Sequence, residues 1–358
     1  MESTGRVSFF ILLLLCSYHH QASSVPASTA IFPDEALPTK SGYLPVNPST
    51  GSAIYYTYYE AQSSTSPLTQ TPLLIWLQGG PGCSSMIGNF LELGPWRVTS
   101  SKSQNVEHIT LEANPGAWNR IYGLLFLDNP IGTGFSIAPK PEEIPTDQHV
   151  VAKHLFVAIT GFIKSDPVFQ NRSIYITGES YAGKYVPAIG YYILKKNMRL
   201  PELEQVNLTR VAIGDGLTDP MIQVELEKDQ SEAVKLVKMG SAATDARNRL
   251  LDLLQNMTGL VTLFDFTKKA PYNTALVTSY VVGAALHKDV MKSVKYMVEF
   301  LVKKSKVLLY QGLFDLRDGV VSTEAWVKTL TWEGIGSFLK AEREVWKVNG
   351  ELAGYVQK

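Results

Sequence analysis

Short apolar runs and stretches of helical spacing alternate along most of the chain. Leu73–Leu77, Gly123–Asp128, Ser173–Thr177, Val211–Gly214 and Lys306–Tyr310 are apolar runs bounded by Gly, Pro or polar residues, the pattern of buried strands. Ala53–Glu60, rich in Tyr and Thr, reads as one more strand. Between them, Ile144–Lys164 carries Val150, Val151, Leu155, Ala158, Ile159 and Phe162 at helical spacing, and Tyr185–Lys196 reads as a second helix. Strands alternating with helices predict βαβ units and a largely parallel sheet. Residues 25–50, with their prolines and small polar residues, read as an extended lead-in. Met221–Tyr272 lacks strand signals but spaces Val234, Val237, Leu250 and Leu254 as helices do. It is expected to be a helical insertion over the C-terminal edge of the sheet, where α/β proteins bind ligands.

The N-terminus departs from this pattern. Arg6 precedes the apolar stretch Val7–Cys16, and Ala22-Ser23-Ser24 follows, which predicts a secretory signal peptide over 1–24. The stretch is shorter than the ~20 apolar residues a membrane span needs. Asn171, Asn207 and Asn256 head N-x-S/T sequons and are expected to carry glycans, whereas Asn47 is followed by proline. With Cys16 in the signal segment, Cys83 is left alone, and no intrachain disulfide is expected.

Composition narrows the function class. The charge balance is 33 basic against 33 acidic residues, with no basic run, so a nucleic-acid partner is not expected. A hydrophobic content of 45% supports a sizeable core.

Three motifs carry chemistry. Thr177-Gly178-Glu179-Ser180-Tyr181-Ala182-Gly183 joins a strand to a helix through Gly-x-Ser-x-Ala, the context of a nucleophile elbow, whose sharp turn needs small neighbours. Serines in such loops also cap helices. Gln78-Gly79-Gly80-Pro81-Gly82 ends an earlier strand; no Lys-Ser/Thr follows, so it is not a phosphate loop. It can supply an oxyanion donor, with Gly80 and Tyr181 contributing backbone N–H groups. Asp315 follows a late strand, where an orienting acid belongs in a Ser…Asp…His order, and Asp318 is the alternative. Nothing in these motifs calls for a cofactor or metal.

Trp76–Ser85, Asn114–Asn119, Leu127–Ser136 and Gly178–Pro187 together resemble the serine carboxypeptidase family in its plant carboxypeptidase-like branch, and the likeness covers almost all of 31–358. The resemblance implies an α/β-hydrolase fold with a mostly parallel sheet and a helical lid. The core would be 25–216 and 280–358, with the lid at 217–279. It implies an exopeptidase that takes residues from peptide or protein C-termini at acidic pH through an acyl-enzyme. Ser180 would be the nucleophile, Asp315 the acid, and Gly80 and Tyr181 the oxyanion donors. Gln78, Gly79, Glu92 and Glu179 would recognise the substrate carboxylate, with Gln78 standing where the family usually has Asn. Adjacent carboxyls cannot both ionise cheaply, so one keeps a proton to donate.

The base of the triad is the gap. The histidines are His19, His20, His108, His149, His154 and His287, and none follows Asp315. The family's catalytic His lies in a Gly-His loop beyond the match to Val348–Lys358. The expectation is therefore a chain cut short of its base, with the last strand and helix of the fold missing. A sugar-ester acyltransferase is a second reading, although relatives of that kind tend to carry Asp where Glu179 stands. A peptide-binding pseudoenzyme is a third. A secreted or vacuolar location follows from the signal peptide.

Overall fold

In the computed structural model of the protein, residues 33–103, 106–225, 278–315 and 318–358 are described, together with Asp245. Among the described residues, 33–37 with those of 99–111 form one compact unit, and those of 38–98 and 112–358 form the other, which holds the central sheet. The strands are β1 (Lys40–Asn47), β2 (Ser52–Tyr59), β3 (Leu73–Leu77), β4 (Trp96–Ser103), β5 (Val106–Ala113), β6 (Gly123–Leu127), β7 (Ile174–Glu179), β8 (Leu208–Gly214), β9 (Lys306–Tyr310), β10 (Glu344–Val348) and β11 (Glu351–Val356). The main sheet runs in the order β1-β2-β6-β3-β7-β8-β9. Its first two pairings are antiparallel and the rest parallel. The five predicted apolar runs are its parallel strands. β3 and β6, in the middle of the sheet, carry so little polarity because both of their faces are covered, and every residue of each is buried. β9, at the end of the sheet order, has no buried residue and leaves Leu308 exposed.

Where the observed elements depart from the sequence reading, the cause is local. β1 lies inside the expected lead-in; Pro45 masks it, and a proline without an N–H is tolerated because β1 is the edge strand. The hairpins β4–β5 and β10–β11 alternate or mix polar residues and offer no apolar run. The first helix, α1 (Gln148–Lys164), starts later than expected because the Asp147 side chain accepts from the His149 and Val150 N–H groups and caps it. The signal segment and most of the expected lid, 226–244 and 246–277, lie outside the described residues.

Parallel pairing brings the C-terminal ends of the strands together. Leu77 pairs with both Leu127 and Gly178, Glu179 with Gly214, and Gly214 with Tyr310. The segments that leave these strands, which begin at Gln78, Ser180, Asp215 and Gln311, therefore emerge at one edge. α2 (Ala182–Asn197) follows the elbow and contains Pro187. A proline there cannot donate to the Gly183 carbonyl one turn back. That carbonyl instead accepts from Thr218 Oγ1 at 3.0 Å, in the loop after β8, and the Leu217 N–H bonds Ser180 O at 2.9 Å. The elbow is thus tied to the neighbouring strand's exit loop.

Thr218→Val keeps the shape and leaves the Gly183 carbonyl buried without its donor. The expected loss is about 1–3 kcal/mol of stability, read from the midpoint of urea unfolding. An unchanged midpoint would show that the Thr218 hydroxyl does not hold the elbow.

Candidate active site

The site begins with a strained serine. Ser180 stands between β7 and α2 with φ +59°, a region that costs a residue with a Cβ about 1–2 kcal/mol. Its N–H donates to Gly214 O at 3.0 Å. The small residues around it are a steric requirement. A Cβ on Gly178 would strike Leu77 O and Ala182 Cβ, and one on Gly183 would come within 2.6 Å of the Leu217 nitrogen.

The glycine-rich loop after β3 lies against this turn. A Cβ on Gly79 would sit 2.5 Å from the Tyr181 nitrogen and 2.9 Å from Ser180 Cβ, so only glycine lets the two backbones approach. Gly80 follows with φ +113°. Among the described residues neither the Gly80 nor the Tyr181 N–H has an acceptor within the protein. Two spare donors beside a serine hydroxyl are what a developing oxyanion needs. A cavity of about 330 Å³ opens here, and Gly80, Ser180, Tyr181, His287 and Asp318 are part of its wall.

Two buried networks hold these pieces, and neither was visible in the sequence. Asp128, after β6, accepts from Ser84 Oγ at 2.7 Å, Ser85 N at 2.8 Å and Phe135 N at 2.9 Å, fixing the far end of the glycine loop. On the other flank, Tyr181 Oη donates to Asp289 Oδ2 at 2.8 Å, and Gln148 Nε2 bonds the same oxygen at 2.7 Å. The fully buried Lys184 ammonium donates to the Asp289 carbonyl at 3.0 Å and to the Lys292 carbonyl. The only sequence signals were isolated polar residues in apolar surroundings, which do not identify their partners.

Gln78, Glu92 and Glu179 come together. Gln78 Oε1 accepts from Trp76 Nε1 at 2.9 Å, which turns its amide toward Glu179 and gives Nε2–Oε1 2.6 Å. The Glu92 carboxyl also hydrogen-bonds Glu179. The extra methylene of Gln78 is accommodated by the tryptophan contact. Burial first, then repulsion from Glu179, pushes the Glu92 carboxyl well above the usual carboxylate range, which favours one proton held between the two glutamates. Burial also raises Glu179, opposed by the bonds from Gln78 and Glu92.

Asp315 lies in the turn after β9, its Oδ1 accepting from the Asp318 N–H at 3.2 Å and its charge felt at Glu179. Asp318, the alternative acid, is buried and reaches the cavity wall. His287 borders the same cavity, with Nε2 3.1 Å from Asp245 Oδ1. His149 and His154 lie on α1, and His149 packs edge-on against Tyr192. Asn171 and Asn207 are exposed, while Asn256 lies outside the described residues. No group of residues suited to a metal occurs among the described residues.

A profile of the family described as serine carboxypeptidase matches residues 31–262 and 266–358. Serine carboxypeptidase-like 50 of Arabidopsis thaliana is 52% identical, across 100% of this chain and 88% of that protein. Venom serine carboxypeptidase of Apis mellifera is 32% identical, across 90% of this chain and 77% of that one. Among solved structures, Kex1(Δ)p, a prohormone-processing carboxypeptidase from Saccharomyces cerevisiae, superposes with a TM-score of 0.73 at 23% identity, over 91% of this chain and 86% of that chain. At that identity the likeness shows the fold, which is that of the α/β hydrolases.

The strain at Ser180 generates a prediction. Ser180→Gly removes the Cβ penalty but adds roughly 0.5–1 kcal/mol of unfolded-chain freedom, for a net gain of roughly 0.5–1 kcal/mol. Thermal melting should rank Ser180→Gly above both the parent and Ser180→Ala. A glycine variant that melts below the alanine variant contradicts a strained elbow.

Proposed function

The chain belongs to the serine carboxypeptidase family, and we propose that it is a serine-type exopeptidase that removes residues from peptide C-termini through an acyl-enzyme on Ser180. The observation that carries this reading is the carboxyl cluster: Glu179, bonded by Gln78 and Glu92, immediately precedes Ser180. A peptide whose terminal carboxylate meets this cluster offers its last peptide bond to the serine next door. Cleavage at a chain end is thereby selected over cleavage in its middle.

The cluster also accounts for acidity. A substrate carboxylate brings a third acidic group into a partly buried site, so a proton enters with it. Both glutamates titrate above their ordinary range, with burial the first cause at each. The protonated, donating form is therefore fully present below the ordinary carboxylate pKa and is lost as pH rises through the raised values.

In the reaction, Ser180 Oγ adds to the scissile carbonyl and the Gly80 and Tyr181 N–H groups receive the oxyanion. Collapse breaks the C–N bond, and the departing amine takes the proton that a base drew from Ser180. Water then hydrolyses the acyl ester. Asp315 would orient the base's imidazole. Within these 358 residues no histidine follows Asp315, and His287 is engaged with Asp245. In a comparable triad, losing His costs roughly 10⁶-fold in turnover. These residues alone are thus expected to bind C-termini and to hydrolyse them only at a residual rate.

The exposed Asn171 and Asn207 sequons support passage through the secretory pathway to a vacuolar lumen or the extracellular space. No helix among the described residues is long and apolar enough to cross a membrane.

Calorimetry with a blocked dipeptide tests the carboxylate site, at about pH 5 and about pH 7.5. Binding should be tighter at the lower pH and take up protons, and Glu92→Gln should flatten both effects. Equal affinity at the two pH values, unmoved by Glu92→Gln, would remove the basis for the exopeptidase reading. Turnover of the same dipeptide should be undetectable in an ordinary assay. Rapid turnover lost in both Ser180→Ala and His287→Ala would instead identify His287 as the base.

A further inference from the structure

A second cavity lies away from the serine. It is an open groove of about 780 Å³ where α1, α2 and the start of α3 (Lys295–Val302) meet. Among the described residues it shares no wall residue with the cavity at Ser180.

The floor of the groove is apolar. Ala152 of α1, Ala188 of α2, Val294, and Met297 of α3 are buried in one small cluster, separate from the main core. Two of the four are alanines, so the side chains stop short of the surface and leave a hollow above them. Tyr191 and Tyr192 pack against the same cluster, and the exposed Tyr296 meets Tyr191 edge-on with ring centroids 6.0 Å apart. Aromatic rings thus flank an apolar floor.

The rim is cationic. Lys195, Lys196 and Arg199, exposed at the end of α2, border the opening together with Lys292. Cations at a helix C-terminus are ordinary, because they complement the backbone dipole. Here they also edge a hollow, and the two carboxylates beside it are engaged elsewhere. Asp147 Oδ1 accepts from the His149 and Val150 N–H groups at 2.9 and 3.0 Å. Asp289 is buried, accepts from Tyr181 and Gln148, and has Lys292 Nζ 3.8 Å from its Oδ1. Lys195, Lys196 and Arg199 have no carboxylate partner among the described residues. Lys195 Nζ instead lies 4.7 Å from the Phe300 ring centroid and 5.5 Å from that of Tyr191, and Lys196 Nζ lies 5.5 Å from that of Tyr192. A ring attracts an ammonium without neutralising it, so the charge is held in place and remains uncompensated.

We infer that this groove is a binding site for a small aromatic acid, its ring system over the alanines and between the tyrosines, its acidic head against Lys195, Lys196 and Arg199. The volume falls within the roughly 300–1,000 Å³ of small-molecule sites, where an apolar lining supplies contact and a few polar groups fix orientation. A bare inorganic anion leaves the apolar floor unused. A neutral ring leaves the three cations unpaired. Only a ligand with both parts satisfies both.

Calorimetry on the parent chain tests this with three probes at about pH 7.5, where the lysines and the arginine are charged. The probes are 2-naphthalenesulfonate, the uncharged 2-naphthalenesulfonamide of the same shape, and inorganic sulfate. The sulfonate should bind tightest of the three. Lys195→Gln, Lys196→Gln and Arg199→Gln together should weaken it roughly tenfold, each exposed ionic contact giving a small factor, and leave the sulfonamide unchanged. Tyr296→Ala should weaken both naphthalene probes. Because these side chains are exposed, none of the changes touches the core. Lys340→Gln, Lys347→Gln and Lys358→Gln remove the same charge on and beside the β10–β11 hairpin, which exposes Trp346 and Tyr355, and should leave sulfonate binding as it was. Sulfate binding as tightly as the sulfonate would overturn the inference. So would sulfonate binding unmoved by the α2 triple variant, or weakened equally by the hairpin one.

Discussion

The site depends on one close approach of two backbones. The loop after β3 can lie on the turn after β7 only because Gly79 has no side chain, with the Tyr181 nitrogen 2.5 Å from where a Cβ would be. That contact sets the spare N–H groups of Gly80 and Tyr181 beside Ser180. It needs the parallel pairing of Leu77 with Gly178, which ends both strands level, and the left-handed Ser180 that turns the chain back. Any residue larger than glycine at 79 would part the loop from Ser180, and the Gly80 and Tyr181 N–H groups would no longer converge on it.

Backbone approach at such a distance has to be held, and buried polar groups hold it from both flanks. Asp128 gathers the Ser84, Ser85 and Phe135 donors behind the glycine loop. Asp289, Lys184 and Gln148 hold the Tyr181 ring on the helix side. Burying such groups is costly unless each finds partners, and a satisfied network then specifies one geometry. The polar interior is thus the price of a fixed reaction centre.

The same edge concentrates acid in a chain whose charges cancel overall. Glu92, Glu179, Asp215, Asp315 and Asp318 lie at or beside the ends of three neighbouring strands or on the loop that packs against them. Without a neutralising cation for each, the cluster holds protons instead. Burial raises Glu92, Glu179 and Asp215 alike above the ordinary carboxylate range.

Sequence alone determined the α/β class, the order of the parallel strands along the chain, the elbow serine and the glycine loop. These are legible because each is local: an apolar run buried on both faces, or glycines and a serine at a turn that tolerates little else. The family likeness then named Glu92, Glu179 and Asp315 as site residues. Tertiary structure alone decided which groups meet. Asp128, Asp289, Lys184 and Asp215 reach partners distant in the chain, and their polarity in isolation looks like that of any turn or helix surface. β1 was hidden because Pro45 breaks the local signal that an edge position forgives. The raised pKa values of Glu92 and Glu179 follow from burial and from which carboxyl faces which. Neither quantity exists until the strands have paired, because a residue's charge state is set by neighbours that only the fold supplies.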